Sequence, residues 1–519
     1  MAPSAFKNEP LADFSRPTDR KAFEDALSKV RSRLGREYPI VIGGKAIRTR
    51  NQFKSCNPSK PSEVIGLFQV ADSAIADMAV ESAARAFETW KSVKPSERAS
   101  LLFKAAAAMR ARKHEFSAAL VLEIGKTWNE ADGDTVEAID FLEFYGREML
   151  RLGGPQPLVK ITTEKNELRY IPIGVGVVVP PWNFAVGILV GMTSAAVVTG
   201  NAVVLKPSSD SPFCGWMFFE LMREVGLPDG VINFLTGPGG SVGDTLVAHP
   251  KTRFVAFTGS KETGIRINEL AAKVQPGQIW LKRVMAEMGG KDAIIIDDEI
   301  DDLGAAVEAT VVSAFGYQGQ KCSAASRVIV VEGMYEEFVE HLKRKVEKIV
   351  VGPAEDPSSY MGPVINRAAQ KRILEYIRKG VDEGGRLLAG GEAIDGEGYF
   401  IEATLISDVQ PDSTIAQEEI FGPVLSVMKA RDFDHALLLA NNTEFGLTGG
   451  VWTANREKIE KAKDAFHVGN FYVNRKITGV SVGVHPFGGF NMSGTAAKAG
   501  GHDYLLWFVQ AKLVSEVVR

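Results

Sequence analysis

The stretch IPIGVGVVVPPWNFAVGILVGMTSAAVVTGNAVVL, residues 171–205, contains no Asp, Glu, Lys or Arg. Its length alone would permit a helix that crosses a membrane. However, Pro180 and Pro181, followed by Trp182 and Asn183, interrupt it, and the preceding GVGVVVP is typical of a buried strand. We therefore predict a parallel strand that leads into a buried helix.

Working outward from this stretch, short apolar runs alternate with helical patterns. Helical periodicity is found around residues 75–90, 98–113 and 135–150. Strands separated by helices of ordinary length indicate parallel sheets, so we predict an α/β fold with at least two packed units. The predicted strands are VGVVV (175–179), AVVLK (202–206), FVAFT (254–258), AIIID (293–297), RVIVV (327–331), VLSVM (424–428) and NFYVN (470–474).

The bulk composition excludes several classes of protein. Among 519 residues the net charge is −4, and neither sign dominates, which argues against a nucleic-acid or membrane-attracted surface. Cys56, Cys214 and Cys322 are an odd number at unrelated spacings, which argues against a disulfide framework or a zinc site. The first 20 residues lack the apolar core of a secretory signal and carry acidic residues that a transit peptide avoids. We expect a cytoplasmic protein.

Three polar side chains lie beside predicted strands, where a ligand could reach them. Cys322 occurs in YQGQKCSAAS, a polar turn ahead of an apolar strand, where a thiol is accessible. Glu287, followed by two glycines, would act as a general base near neutral pH if it were partly desolvated. Asn183 in PPWNF could present a rigid amide N–H to an oxyanion. Taken singly, each has a simpler interpretation: inert packing, surface solvation, and a turn or helix cap.

Two further segments have the character of a phosphate-binding turn. VVLKPS places Lys206 at the end of one strand, and FVAFTGSKETG places residues 258–264 at a strand-to-helix turn. Backbone N–H groups at such a helix N-terminus suit a pyrophosphate. The spacing G-x-x-x-x-G differs from the Rossmann fingerprint G-x-G-x-x-G, and the turn lacks the Gly-Lys-Ser/Thr ending of an ATPase loop. By itself this turn is a weak signal.

The specific signal is the combination of these motifs in one order. PWNF, KPS, FTGS, EMGGKD, GQKCS, EEIFGPV (418–424) and PFGG (486–489) resemble the motifs of the aldehyde dehydrogenase superfamily, and the resemblance runs from about Pro39 to the C-terminus. A closer likeness is to the glutamate semialdehyde branch of that superfamily. It rests on Ser323 directly after the cysteine, on YVNRKITG (472–479) and on GVSVGVHPFGGFNMSGT (479–495).

The resemblance implies a fold with three parts: a five-stranded Rossmann-like cofactor domain, a catalytic α/β domain and a small β-flap for oligomerisation. The NAD(P)-binding domain would comprise residues 1–154 and 174–286, with an N-terminal extension over 1–38. The catalytic domain would cover residues 287–474. The flap would be formed by 155–173 and 505–519, and a substrate-anchor loop with its return segment by 475–504.

The resemblance also implies a mechanism. The Cys322 thiolate would attack an aldehyde carbon, and the Asn183 side chain and the Cys322 backbone N–H would hold the oxyanion. After hydride transfer to NAD(P), Glu287 would activate the water that hydrolyses the thioester. This chemistry requires no metal.

The cofactor contacts are likewise implied by the resemblance. Lys206 and Glu419 would hydrogen-bond ribose hydroxyls. Ser260 would face the pyrophosphate, and Phe421 would pack near the nicotinamide ribose. Ser209 stands where strict NAD users often carry a glutamate that repels a 2′-phosphate, so NADP as well as NAD is expected to bind. The expected contacts are Pro181, Trp182, Lys206, Ser209, Thr258, Gly259, Ser260, Gly264, Met288, Gly289, Glu419 and Phe421.

The closer likeness implies oxidation of L-glutamate γ-semialdehyde, the aldehyde of proline breakdown. Such an enzyme must anchor an α-carboxylate at a set distance from the sulfur, and the Ser323 hydroxyl with the N–H groups of Gly479 and Val480 matches that anchor. Backbone donors suit a carboxylate without a fixed cation. Glu137 matches a glutamate at the pocket mouth, although surface solvation is an alternative interpretation. The expected substrate contacts are Glu137, Phe184, Ser323, Gly479, Val480 and Phe487.

Other functions stay open. The aldehyde could be succinate semialdehyde, which an arginine such as Arg475 would bind, or a simple aliphatic aldehyde. A non-catalytic binding or structural protein on this fold would be expected to have lost the cysteine, glutamate or asparagine, and all three are present. The expected partners are a small-molecule substrate and further copies of the chain, as a homodimer or larger homo-oligomer. A functional link to proline dehydrogenase is also expected, although the length leaves no room for a fused one.

Overall fold

The uncharged stretch forms a strand, a helix and a second strand in the computed structural model, which describes residues 4–518. The strand Val175–Val179 leads through the PPWNF turn to the helix Gly187–Val198, and the strand Ala202–Leu205 follows. The helix has 12 residues and is almost wholly buried in the protein. No helix among residues 4–518 has the length and apolar character needed to cross a membrane.

The α-helices are amphipathic or buried, and several begin at a side chain that caps their free N–H groups, as Asp72 and Asp302 do. The three helices predicted from periodicity are confirmed, with bounds that differ by up to seven residues. The helices are α1 Pro17–Arg31, α2 Ser73–Trp90, α3 Pro95–Ala111, α4 Lys113–Ile124, α5 Trp128–Leu152, α6 Gly187–Val198, α7 Pro212–Glu224, α8 Asp244–Ala248, α9 Lys261–Ala272, α10 Leu303–Phe315, α11 Tyr335–Val346, α12 Arg367–Asp382, α13 Thr414–Gln417, α14 Phe433–Asn441 and α15 Arg456–Ala465.

All seven predicted strands are present, within two residues of their predicted bounds. The strands are β1 Arg36–Tyr38, β2 Ile40–Ile42, β3 Lys45–Ile47, β4 Gln52–Asn57, β5 Lys60–Gln69, β6 Glu164–Pro172, β7 Val175–Val179, β8 Ala202–Leu205, β9 Ile232–Phe234, β10 Thr252–Thr258, β11 Arg283–Glu287, β12 Asp292–Ile296, β13 Ala325–Val331, β14 Arg386–Ala389, β15 Thr404–Ser407, β16 Val424–Ala430, β17 Phe445–Gly446, β18 Thr448–Trp452, β19 Asn470–Val473, β20 Phe490–Asn491 and β21 Val509–Val517.

The first large sheet has the order β11-β10-β7-β8-β9-β2-β3. Its first five strands are parallel, as the five-stranded Rossmann-like expectation required, and the antiparallel pair β2–β3 extends the sheet beyond that expectation. From β7 the chain proceeds to β8 and β9 on one side, and it later returns to β10 and β11 on the other. In such sheets a ligand crevice opens outside the carboxyl ends of the strands where the direction reverses.

The second large sheet has the order β14-β15-β16-β13-β12-β18-β19, and all its pairings are parallel except β14 with β15. Only residues 288–291 join the last strand of the first parallel set, β11, to β12. The carboxyl end of β11 is therefore held beside the amino ends of β12 and β13. Apolar side chains of this sheet pack with α10 and α11, while α2 and α9 cover one face of the first sheet.

Two peripheral segments leave the main sheets. Strands β6 and β21 pair antiparallel along nine residues each, from Pro172 with Val509 to Glu164 with Val517. This ribbon lies within the two ranges expected for the flap. The N-terminal residues instead run along α5, where the backbone N–H groups of Glu9 and Ala12 bond to Asp140 and Asp132.

A buried arginine ties the second sheet to its surroundings. Arg327 on β13 is 1% exposed, and its guanidinium donates to the carbonyl oxygens of Lys291, Leu439 and Ala440 at 2.7–3.0 Å. These carbonyls belong to the β11–β12 connection and to the C-terminal end of α14. Arg327 therefore fixes the connection on which the position of Glu287 depends.

We predict that Arg327→Met lowers the free energy of unfolding by about 3 kcal/mol or more, because it leaves buried carbonyl groups without donors. Denaturant unfolding followed by circular dichroism measures the loss. Arg386→Met on β14 is the matched control: Arg386 pairs with Asp408 at the surface, where the loss should stay below about 1 kcal/mol. Equal losses in the two variants would contradict the assigned role of Arg327.

Candidate active site

The polar residues singled out in the first sheet gather at one edge. Thr258 and Glu287 are the last residues of β10 and β11, Lys206 directly follows β8, and Asn183 follows β7 by four residues. Because these strands are parallel, their carboxyl ends open on the same side of the sheet. Cys322 approaches this edge from the other sheet, three residues before β13.

A cavity of about 570 Å³ lies between the two sheets. Its wall contains Cys322 and Glu287, together with all six residues predicted to contact the substrate: Glu137, Phe184, Ser323, Gly479, Val480 and Phe487. Asn183 lies directly before the lining residue Phe184. The structure thus brings together chain segments that are more than 300 residues apart. Neither Cys56 nor Cys214 reaches this wall.

The turn that carries Cys322 is held in an unusual backbone conformation. Tyr317 and Gln318 have positive φ angles of 52° and 57°, a region that side-chain-bearing residues seldom adopt. The Gln318 amide group compensates by donating to the carbonyl oxygens of Gly125 and Pro363 at 3.1 and 2.7 Å. Strain of this kind persists only where the surroundings impose it, as they do around many active sites.

Cys322 is held in its thiol form. Burial raises the pKa of Cys322 well above its ordinary value, and the nearby carboxylates of Glu287, Asp292 and Glu419 raise it further. The Ser323 N–H acts in the opposite direction by bonding the sulfur. The thiolate expected from the sequence is therefore not the resting form at neutral pH, and a nucleophilic role would require the thiol proton to leave.

Glu287 has the ionisation properties of a base that works near neutral pH. Burial raises the pKa of Glu287 to about 8, although a hydrogen bond from the Gly489 N–H and the positive charge of Lys498 lower it. The Gly489 nitrogen lies 2.9 Å from Oε1 of Glu287. This bond orients the carboxylate, and the isolated surface glutamate considered as an alternative is excluded.

Asn183 is oriented by one hydrogen bond. Its side-chain N–H donates to the Gln320 carbonyl at 3.0 Å, and the residue is 4% exposed. An amide nitrogen carries two hydrogens, so a second donor is left for a ligand. The backbone N–H of Cys322 is also without a hydrogen-bond acceptor among residues 4–518. A pair of such donors suits a negatively charged oxygen.

Glu137 lies in the cavity wall, so its interpretation as a solvated surface residue was wrong. Burial, together with the negative charge of Asp134, raises the pKa of Glu137 to about 8. The opposing effect of the Lys126 charge is smaller. Glu137 is therefore largely a neutral carboxylic acid at pH 7, able to donate a hydrogen bond.

Sequence reasoning missed other parts of this wall. Asn8, Glu9 and Leu11 of the N-terminal segment line the cavity, although no motif marks them. Lys321 and Lys476 line it as well, so the expectation of an anchor free of fixed cations was incomplete. Lys321 is paired with Glu130 at 2.9 Å. The position of Lys321 next to the cysteine was the one signal that could have indicated it.

Lys206 has the properties of a buried binding group. It is 5% exposed, and burial lowers its pKa to about 8. No carboxylate lies within salt-bridge distance of it in the described part of the chain. Its ammonium group can therefore donate to a bound ligand.

Several of the other predicted cofactor residues pack in pairs. Gly289 lies against the Glu419 carboxylate and Gly264 against the Met288 sulfur, so closely that a Cβ at either glycine would overlap its neighbour. The rings of Trp182 and Phe421 meet edge to face at 5.6 Å. Pro181, beside Trp182, is buried, whereas Ser209 is exposed.

The glycine-containing turn after β10 is less open than its sequence suggested. The Gly259 N–H donates to the Glu287 carbonyl and the Gly264 N–H to the Ser260 carbonyl, so neither faces a ligand. The Ser260 hydroxyl caps α9 by accepting from the Thr263 N–H. Among residues 4–518 the backbone N–H groups of Ser260, Lys261 and Glu262, at the start of α9, have no acceptor and are free for a phosphate.

A cysteine sulfur, a carboxylate of raised pKa and two N–H groups without acceptors lie in or beside one cavity, an arrangement that suits the formation and hydrolysis of an acyl-sulfur bond. The chain belongs to the aldehyde dehydrogenase family, whose model matches residues 46–514.

Individual relatives are similar over the whole chain. A protein of Geobacillus sp. (strain WCH70) named 1-pyrroline-5-carboxylate dehydrogenase is 54% identical over 512 residues, which is 99% of each chain. The structure of 1-pyrroline-5-carboxylate dehydrogenase from Thermus with bound NAD matches with a TM-score of 0.98 at 49% identity and covers 100% of both chains. Proline utilization A of Bdellovibrio bacteriovorus matches with a TM-score of 0.97 at 44% identity, covering 99% of this chain and 53% of that one.

We predict that Cys322 reacts slowly with iodoacetamide at neutral pH. The rate should keep rising with pH above the pH at which an ordinary thiol is fully ionised, since only the thiolate reacts. Above pH 8, where Glu287 is ionised, Glu287→Gln removes a negative charge beside the sulfur and should accelerate the reaction. Peptide mass spectrometry measures the labelling, and Cys322→Ala gives the background from Cys56 and Cys214. A profile unchanged by Glu287→Gln would contradict the described electrostatics.

Proposed function

We propose that this chain oxidises L-glutamate γ-semialdehyde, the open-chain form of 1-pyrroline-5-carboxylate, to L-glutamate with NAD(P) as hydride acceptor. One observation carries the proposal. Cys322 and Glu287 share a cavity with Ser323 and the Gly479–Val480 backbone, the groups expected to anchor an α-carboxylate. The similarity to named 1-pyrroline-5-carboxylate dehydrogenases over 99–100% of the chain supports the same substrate.

The first half of the reaction takes place at sulfur. Cys322 gives its thiol proton to water and attacks the aldehyde carbon, so that a tetrahedral thiohemiacetal with a negatively charged oxygen forms. The negative oxygen is bound by the free N–H of Asn183 and the backbone N–H of Cys322, which are already oriented before charge develops. The nicotinamide ring of bound NAD(P) supplies the hydride acceptor. A thioester on Cys322 remains.

The second half of the reaction is hydrolysis. Glu287 in its ionised form removes a proton from water, which attacks the thioester carbonyl and releases glutamate and the free thiol. The Gly489 N–H holds the carboxylate in place during this step. Because the pKa of Glu287 is about 8, roughly one molecule in ten carries the base form at pH 7.

The chain offers suitable groups for NAD(P). The buried Lys206 ammonium and the Glu419 carboxylate would bind ribose hydroxyls, and the first turn of α9 would face the pyrophosphate. Glu419 is itself fixed by the Gly290 N–H at 3.0 Å. The exposed Ser209 places no negative charge near a 2′-phosphate, so we propose that NADP is accepted as well as NAD.

The substrate end of the cavity suits an amino acid. The Ser323 hydroxyl and the Gly479 and Val480 N–H groups would bind the α-carboxylate, with Lys321 and Lys476 contributing positive potential. Phe184 and Phe487 would flank the aliphatic stem. The described wall presents both ends of the substrate with complementary chemistry: hydrogen-bond donors for the carboxylate and a nucleophile for the aldehyde.

The domain roles follow from this assignment. We propose that residues 1–154 and 174–286 bind NAD(P), that 287–474 form the catalytic domain, and that 475–504 anchor the substrate. The β6–β21 ribbon would form the oligomerisation flap, and its exposed apolar side chains, such as Leu513 and Val517, suit contact with a second copy. A proline-oxidising enzyme would supply the substrate, as the similarity to proline utilization A suggests.

The second candidate is an aldehyde dehydrogenase for succinate semialdehyde or a simple aldehyde. Arg475, the arginine considered for the succinate compound, packs over the Tyr472 ring at 4.7 Å and is not part of the cavity wall. A simple aldehyde would leave the carboxylate-binding groups unused. The glutamate compound therefore accounts for more of the wall.

We predict that kcat/KM is highest for L-glutamate γ-semialdehyde in a panel with succinate semialdehyde and propionaldehyde, measured as NADH or NADPH formation. Ser323→Ala should lower kcat/KM for the glutamate compound by about tenfold or more, because a hydrogen bond to a carboxylate is lost. Propionaldehyde has no carboxylate, so its kcat/KM should be nearly unchanged. Equal losses on both substrates would refute the carboxylate anchor, and wild-type preference for another aldehyde would refute the substrate assignment.

We also predict that the rate of thioester hydrolysis rises with pH through about 8 and levels off above it, since the ionised form of Glu287 is the base. Glu287→Gln should abolish this rise and let acyl-enzyme accumulate, visible in the intact-protein mass after mixing with substrate and NAD. Single-turnover kinetics supplies the rate at each pH. A variant that shows no acyl-enzyme and an unaltered pH profile would exclude Glu287 as the base.

A further inference from the structure

A fully buried ion pair lies at the cavity, with Asp134 in its wall and Lys126 behind it, and the proposed reaction does not use this pair. Lys126 and Asp134 are 0% and 1% exposed, and the Lys126 ammonium lies 2.8 Å from Oδ2 of Asp134. Lys126 belongs to the short connection between α4 and α5, and Asp134 lies in the second turn of α5. Such a pair is seldom a source of stability, because removing two charges from water offsets their attraction.

The surroundings of Lys126 suggest what the pair does. Its ammonium lies 3.7 Å from the centre of the Phe184 ring and 4.7 Å from the centre of the Tyr317 ring. Phe184 directly follows Asn183, and Tyr317 begins the strained turn that carries Cys322. One desolvated cation is therefore in contact with both chain segments that hold the reacting groups, and such contacts are at their strongest without water.

Hydrogen bonds connect the same segments to the pair. Asp134 accepts from the Gly187 N–H, at the start of the helix that follows the Asn183 turn. The Gln318 side chain donates to the carbonyl of Gly125, the neighbour of Lys126. The Asn183 amide donates to the Gln320 carbonyl, so the two segments are also bonded directly to each other. The segment of Asn183 and the segment of Cys322 are therefore both held against the Lys126–Asp134 pair.

We propose that Lys126 and Asp134 are positioning residues that hold the oxyanion donor Asn183 in register with the nucleophile Cys322. The ammonium fixes the Phe184 and Tyr317 rings, and the carboxylate fixes both the ammonium and the Gly187 backbone. This positioning role rests on the proposed function of the chain as an aldehyde-oxidising enzyme, but it does not depend on which aldehyde is the substrate. In this proposal Lys126 and Asp134 act through the two segments that carry Asn183 and Cys322.

The test is the double variant Lys126→Met with Asp134→Asn. It removes both charges, so neither is left buried and unpaired, and the amide oxygen introduced by Asp134→Asn can still accept from the Gly187 N–H. We expect kcat to fall by about tenfold or more, with KM changed by less than about threefold; complete loss of an oxyanion donor costs about a hundredfold to a thousandfold in kcat. The loss should be equal for L-glutamate γ-semialdehyde and propionaldehyde, and the unfolding temperature should stay within a few degrees.

The matched control is the double variant Lys458→Met with Asp297→Asn. This pair also joins a lysine to a buried aspartate, at 2.8 Å, and the Lys458 ammonium lies 5.5 Å from the centre of the Phe433 ring, but neither residue lines the cavity or bonds to the segments of Asn183 or Cys322. Its kcat should be unchanged. A tenfold loss in the control, or a folded Lys126→Met, Asp134→Asn variant with kcat within threefold of wild type, would overturn the proposal.

Tyr317 provides a second test that does not depend on the folding of the double variant. Tyr317→Phe keeps the ring beside Lys126 and should retain kcat, whereas Tyr317→Leu removes it and should lower kcat with little change in KM. Equal kcat in these two variants would overturn the proposal. Should the wild-type enzyme prefer another aldehyde, the substrate assignment fails, yet the same ratios measured with that aldehyde still decide the positioning role.

Discussion

The close approach of two backbones, at Gly290 and Cys322, is the constraint on which the site depends. The connection of residues 288–291 passes so near the cysteine turn that a Cβ at Gly290 would overlap the Cys322 carbonyl oxygen. A Cβ at Gly289 would overlap the Glu419 carboxylate in the same way. Two consecutive glycines therefore let the first sheet deliver its terminal carboxylate, Glu287, to the amino edge of the second sheet. Glu287 and Cys322 thereby line the same cavity.

Burial of the charged side chains in and around this site changes their pKa values. Burial raises the pKa of Glu287 and Glu137 to about 8 and that of Glu419 to about 7, while it lowers the pKa of Lys206 to about 8. Groups that would be fully charged at the surface thus change ionisation within the physiological range. This property is common where side chains must both bind ligands and exchange protons. The same desolvation raises the pKa of Cys322 and favours its protonated thiol form.

The sequence predicted what depends on local pattern or on ordered motifs. Apolar runs marked the seven central strands, and the motif order placed Cys322, Glu287 and Asn183 together. Contacts between distant segments were not predictable in the same way. The N-terminal residues that line the cavity lack any motif. Whether Glu137 was a pocket residue or a solvated surface residue depended on how α5 packs. The N–H groups of Gly259 and Gly264 bond to carbonyl oxygens that the sequence does not reveal. The β2–β3 extension of the first sheet likewise leaves no periodic signal because each strand has only three residues.

The path of the N-terminal segment has a practical consequence. Asn8, Glu9 and Leu11 form part of the cavity wall, and the Asn8 amide joins the Asp140 carboxylate on α5 to the Val482 carbonyl in the substrate-anchor loop. A polypeptide joined upstream of Met1 would be attached only seven residues before Asn8. An affinity tag there would therefore lie close in sequence to residues of the cavity wall, so such a tag is better cleaved off before rates are measured, or moved elsewhere on the molecule.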